Sequence, residues 1–189
     1  MVPIPVSGAG TAFILNYKGG KVMRFLKAFL ALALVVLLAP AAGAINVGDA
    51  AVPFSLLNPT TSMEVSVPEY LGKKPGLIVF FNTSCGACEA ELFTANAYLK
   101  KNSGAFKLIA IAIDSTPDSR IRVTKYIQEQ GFTEATILLD PKFDVGEKYG
   151  FTFTPASVGI GSDGKVKFIV NGFSRKEEKA FGANLDSLK

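Results

Sequence analysis

Histidine is absent from this chain of 189 residues, and cysteine occurs only twice. Zinc wants four ligands, usually Cys or His. Two cysteines make at most half such a site, to be completed by carboxylates or by a second chain. Imidazole is also the common copper ligand, so copper delivery is poorly served. The two cysteines stand as Cys85-Gly86-Ala87-Cys88, which leaves none for bridges elsewhere. An excess of basic charge is missing too once residues 1–44 are set aside. Those carry Lys18, Lys21, Arg24 and Lys27 and no acid, while the remainder balances its basic residues against 16 acidic ones. The net charge of +4 belongs to the leading segment. The rest has no electrostatic footprint for nucleic acid. Internal repeats and low-complexity tracts are lacking.

The leading segment contains one uninterrupted apolar run, Ala28 to Ala39. Arg24 and Lys27 flank its start, and Ala42-Gly43-Ala44 closes it with small residues. A basic end, a short apolar stretch and a small-x-small site predict a secretory signal peptide over 23–44. The run is short of the ~20 apolar residues that a membrane span needs. Phe25 and Leu26 lengthen it, so an uncleaved anchor is the alternative. Residues 1–22 have no clear period, and Met23 reads as the initiator; this upstream stretch is set aside as an extension that is either not made or disordered. Residues 45–189 are enough for one domain with a real core.

What is there centres on the dithiol. Leu77-Ile78-Val79-Phe80-Phe81 precedes it as a buried strand, and an apolar stripe at helical spacing follows. Two intervening residues let both sulfurs meet across the first helical turn. Cys85 would then lie where unpaired N–H groups point outward and the helix dipole is positive. Free cysteine has a pKa of about 8.5, and dithiols of this spacing fall at roughly 3.5–7.5. Cys85 is the candidate nucleophile. Cys85, Cys88, Leu92, Ala95 and Leu99 fall on one helix face, and Cys88, further into that stripe, is expected to point into the core as the resolving thiol. A structural disulfide, half a metal site and an inert buried pair are the competing readings. A bridge closing so short a loop constrains little of the unfolded chain.

The remaining segments alternate. Pro53–Leu57 and Glu64–Val67 read as a hairpin. A helix runs from the dithiol to about Lys101. Phe106–Ile113 reads as the next buried strand and ends in Asp114. Arg120–Gln130 is a helix stopped by Gly131. Thr136–Leu139 is a strand, and Phe143–Tyr149 a short helix behind Asp140-Pro141. Ala156–Ile160 and Val166–Val170 form a closing hairpin around Gly161-Ser162-Asp163-Gly164. Phe181, Leu185 and Leu188 line a terminal helix. This order predicts an α/β fold, a central mixed β-sheet flanked by helices on both faces, with an N-terminal β-hairpin extension.

A strand, a Cys-x-x-Cys helix, a strand ending in Asp114, then Asp140-Pro141, Tyr149-Gly150, Thr154-Pro155 and a Gly-containing hairpin make up a recognisable sequence of parts. Over residues 47 to 189 it resembles the thioredoxin-like thiol:disulfide oxidoreductases, in their exported TlpA/ResA-like (redoxin) branch. The resemblance implies a thioredoxin-like fold and a cis Pro155 beside the dithiol. It also implies catalysis by Cys85 and Cys88, with substrate contacts from Thr154, Pro155, Gly86 and Ala87. No cofactor is expected. Three departures stand out. The Trp that usually precedes the first Cys is replaced by Ser84, and Phe93 stands where Pro is usual. Thioredoxins bury an Asp beneath the dithiol as proton acceptor, and the matching position is Val79. Glu91 and Asp114 are candidate acceptors for Cys88, although a solvated face and a strand end are the simpler readings of each.

The function expected is reduction of disulfides in exported client proteins, apocytochrome c being one candidate. Gly86-Ala87 adds no thiolate-stabilising group beyond the backbone, and strong oxidants owe their potential to such stabilisation. A membrane electron donor would then be needed, with the protein itself a monomer in the periplasm or another extracytoplasmic space. A peroxiredoxin-like peroxidase is the alternative, but its nucleophile follows a Thr at the third residue upstream, where this chain has Asn82. A redox-inert or metal-binding module on the same scaffold is a further alternative.

Overall fold

The computed structural model describes residues 44–188. The expected leader over 23–44 and the stretch before it lie, except for Ala44, outside those residues. Among the described residues no helix is long and apolar enough to cross a membrane.

A strand as apolar as Leu77–Phe81 is stable only when both its faces are covered, and the chain is laid out to do that. β1 (Phe54–Leu57) and β2 (Glu64–Val67) form an antiparallel hairpin. β3 (Gly76–Phe81), α1 (Gly86–Lys101), β4 (Lys107–Ala112), α2 (Ser119–Gln130) and β5 (Ala135–Leu139) follow. The chain ends with α3 (Asp144–Lys148), β6 (Ala156–Ile160), β7 (Val166–Asn171) and α4 (Arg175–Asp186). The seven strands of the described residues join one sheet in the order β2-β1-β5-β4-β3-β6-β7. β3, β4 and β5 are parallel, while the two hairpins run antiparallel. The mixed sheet and the N-terminal hairpin are those the sequence predicts, with strand ends moved by a residue or two.

Alternation along β3 divides the core. Leu77, Val79 and Phe81 face a layer built from α1, α2 and α4, where Leu92, Ala95, Val123, Phe181 and Leu185 are buried. Ile78 and Phe80 face the other layer, with Val145 of α3, Tyr149, Phe151 and Val67. The short helix α3 is held at its start by Asp140, whose carboxylate accepts the N–H groups of Val145 and Gly146 at 2.9 and 3.2 Å. Gly150 then stops it at φ +78, a conformation that needs glycine.

Phe80 is fully buried at the centre of an aromatic group, with ring centroids 5.4 Å from Phe151, 5.9 Å from Phe143 and 6.0 Å from Tyr149. Phe80→Ala should destabilise the protein by about 3–5 kcal/mol. Urea unfolding measures it, and a loss under 1 kcal/mol would mean that the aromatic layer collapses to fill the hole.

Candidate active site

Four residues turn the chain from β3 into α1, and two of them, Thr83 and Ser84, are held by side-chain acceptors. The Ser84 N–H and hydroxyl both donate to Asn82 Oδ1, at 2.9 and 2.5 Å. The Thr83 N–H and hydroxyl both donate to the Asp114 carboxylate, at 3.1 and 2.5 Å. Asp114 is buried just past β4 and pairs with Arg122 of α2 at 3.2 Å. That carboxylate therefore holds the approach to the dithiol from just past the end of β4.

Cys85 is the N-cap of α1, and its sulfur accepts the Cys88 N–H at 3.2 Å. The cap position aims backbone donors and the positive end of the dipole at this sulfur, which favours a thiolate. Cys85 and Cys88 are joined as a disulfide with Cα atoms 5.2 Å apart. Their surroundings differ. Cys85 is half-buried, Gly86 and Ala87 are exposed, and Cys88 is sealed in the core with Leu92 and Ala95.

Glu91 overturns the simpler reading of its position. It is not on a solvated face but 0% exposed. The hydroxyl of Ser157, on β6, donates to its Oε1 at 2.5 Å, while Oε2 has no partner. Burial, partly offset by the Ser157 hydrogen bond, pushes its carboxyl up to about 7. Ser157 pairs with Val79 across β3 and β6. A buried acid on the helix thus bonds to the strand residue that faces position 79. Glu91 lies three residues after Cys88 on the same helix face, which puts their Cβ atoms about 5–6 Å apart. Sequence reasoning missed Ser157 altogether. The spacing 88, 91, 95 on the buried stripe was the available signal for Glu91.

Thr154-Pro155 is a cis bond. Phe80 pairs with Ala156, so Pro155 stands next to the end of β3, at the sheet end where α1 begins. Pro155 is buried with its carbonyl accepting the Gly172 N–H at 2.8 Å, and Thr154 is half-buried. Without Trp, exposed apolar surface here comes from two phenylalanines, Phe93 on α1 at 63% and Phe153 before Thr154 at 53% exposure.

A disulfide at a strand-to-helix junction, with a buried acid behind it and a cis proline at the same sheet end, defines a thioredoxin-like thiol-disulfide oxidoreductase site. Residues 47–169 match the AhpC/TSA family, and the chain belongs to it, as a TlpA/ResA-like member. It is 28% identical over 148 residues to the thiol-disulfide oxidoreductase ResA of Geobacillus thermodenitrificans, covering 77% of this chain and 80% of that protein. A Chlorobium tepidum structure assigned as the thiol:disulfide interchange protein DsbE matches with a TM-score of 0.67 at 23% identity, over 77% of this chain and 99% of that one. A secreted Mycobacterium tuberculosis disulfide oxidoreductase homologous to E. coli DsbE matches with a TM-score of 0.60 at 18% identity, over 71% and 96%.

The raised carboxyl of Glu91 makes stability depend on pH. Between its ordinary 4.5 and about 7 the unfolded chain has released the proton that the folded protein keeps. The unfolded state then binds fewer protons, so stability falls as pH rises through this window. At about 1.4 kcal/mol per unit the loss by pH 8 is on the order of 3 kcal/mol. Urea unfolding of the oxidised protein from pH 4 to 8 should show it, and Glu91→Gln should remove it. An unchanged slope in the variant would place the titration elsewhere.

Proposed function

We propose that this protein reduces disulfides in exported client proteins by dithiol exchange, with Cys85 as nucleophile and Cys88 as resolving thiol. One observation carries the reading: of two sulfurs on one helical turn, one is reachable and capped by backbone N–H, and the other is sealed beside a protonatable carboxyl.

In the reduced protein the Cys85 thiolate attacks one sulfur of a client disulfide. The client S–S bond breaks, a mixed disulfide forms, and the other client sulfur leaves as a thiolate. Cys88 must then lose a proton in an apolar setting where its own ionisation is disfavoured. Glu91 Oε2, which has no other partner, takes that proton. The Cys88 thiolate attacks Cys85 Sγ, the Cys85–Cys88 disulfide forms, and the client departs with both cysteines reduced. Two electrons have moved from the protein to the client. An outside dithiol, which we place at the membrane, restores the starting state by the reverse exchange. The main chain of Thr154 and the face of Pro155 are the proposed seat for the client's extended segment, in the manner of strand addition. Gly86 and Ala87 leave room above the sulfur. The leader over 23–44 supports action outside the cytoplasm after cleavage, or from an anchor.

The AhpC/TSA match favours a second reading, peroxidase activity. Its geometry is less favourable. Thr83 is two residues before Cys85, and its hydroxyl donates to Asp114.

Reduction of insulin disulfides separates the roles. Cys85→Ser should abolish turnover, while Cys88→Ser should accumulate mixed disulfides with clients. Turnover that survives Cys85→Ser rules out its assignment as nucleophile. Glu91→Gln should slow resolution of the mixed disulfide by roughly 10²-fold near pH 7. That deficit should shrink at high pH, where Cys88 ionises unaided; stopped-flow quenching and mass spectrometry follow it.

A further inference from the structure

The solvent-facing stripe of α1 carries a second feature beside the dithiol. A cleft of about 320 Å³ opens against Gly86 and is lined by Glu89, Ala90, Phe93 and Thr94 of α1 and by Glu178 of α4. Positions 86, 89, 90, 93 and 94 recur at helical spacing, on the side away from the buried stripe of Cys88, Leu92 and Ala95. The cleft is therefore continuous with Gly86, the first of the two residues between the cysteines.

Its chemistry is lopsided. Phe93 offers an exposed aromatic face, and Ala90 is too small to cover it. Glu89 and Glu178 are exposed carboxylates, one on each wall. Neither is in any of the three ion pairs among the described residues, which join Arg122 to Asp114, Lys125 to Glu129 and Lys167 to Asp163. The neighbouring Glu177 differs, because it is used in the capping box of α4 with Ser174. The cations of α4 are placed elsewhere: Arg175, Lys176 and Lys179 line a separate depression with Ala180. The result is an aromatic floor between two uncompensated negative charges.

A lysine or arginine side chain matches all three parts. Its aliphatic stem can lie along apolar surface while its head stays charged. A cation over an aromatic face is attracted by the ring quadrupole. The same head then meets both carboxylates. We propose that this cleft is a specificity subsite for client segments carrying a basic residue a few positions from the attacked cysteine. The assignment rests on the dithiol-exchange reading above and narrows it to cystine-bearing polypeptides that are basic near the reactive bond.

Two synthetic peptides test it, each closed by one disulfide and differing only in Arg or Glu three residues beyond a cysteine. Wild-type reduced protein should reduce the Arg peptide with a kcat/KM about three- to tenfold higher at low ionic strength, as two exposed charge contacts allow. Taking the ratio of the two peptides cancels any common effect of Glu89 on Cys85. The ratio should fall towards one in the Glu89→Gln/Glu178→Gln double variant and in high salt, which screens exposed charges. Phe93→Ala should lower the Arg peptide more than the Glu peptide. A ratio of one in the wild type, or a ratio that survives the double variant, overturns the subsite. Binding of the same peptides, reduced and S-alkylated, to the oxidised protein by fluorescence anisotropy reads the preference without chemistry. Arg-selective binding with no reduction would sustain the cleft and overturn the exchange reading. Reduction without selectivity in either readout would do the opposite.

Discussion

The hydrogen bond from the Cys88 N–H to the Cys85 sulfur exists only because the chain leaves β3 and enters α1 within four residues. A longer turn would let the sulfur drift away from the helix end. The first-turn amides would then bind water, and the dipole would act on nothing in particular, since its influence fades within a turn. Keeping the turn short requires that its polar backbone be satisfied without regular structure. Asn82 does this locally for Ser84, and Asp114 does it from the next strand for Thr83. The parallel pairing of β3 with β4 brings Asp114 there, because Phe81 lies opposite Ala112. Sheet register and sulfur environment are thus one constraint.

Much of this was legible in the chain itself. Five apolar residues in a row before a Cys-x-x-Cys can hardly be other than a buried strand feeding a helix. The stripe 85, 88, 92, 95 and 99 marked the inward face of the helix, and Cys88, further along it, was the thiol expected to be buried. Glu91 was not legible, although it lies on the same stripe. A carboxylate in a core is costly unless it is paired or neutralised, so polarity argued for water. The partner that makes burial tolerable is Ser157, 66 residues away on β6, and the other device is retention of the proton to about pH 7. Neither appears in a local pattern. The grip of Asp114 on Thr83 was hidden for the same reason, since it joins residues 31 apart through strand register. The cis bond before Pro155 came from family resemblance, because trans is the commoner state for any single proline.

Loss of the usual Trp also has a physical consequence. Position 84 carries no ring, and Ser84 instead folds back onto Asn82. Exposed aromatic surface is displaced to Phe93 on the helix and Phe153 beside the cis proline. Isolated exposed phenylalanines are common on soluble proteins and need no special reason. Phe93 is set apart by its place in a cleft that reaches Gly86 between two unpaired carboxylates.

These charges bear on the direction of electron flow. A dithiol is a strong oxidant when its thiolate form is heavily stabilised, because the disulfide then gives way readily. Gly86 and Ala87 contribute no side-chain donor, so the helix end and one backbone N–H act largely alone on Cys85. Glu89 in the same helical turn acts against them, since a nearby carboxylate disfavours a second negative charge. Arg122, which reaches the loop region through Asp114, is paired with that carboxylate. The proposed reductive direction agrees with a thiolate that only the backbone supports, and it moves the cost to the donor that must recharge the site.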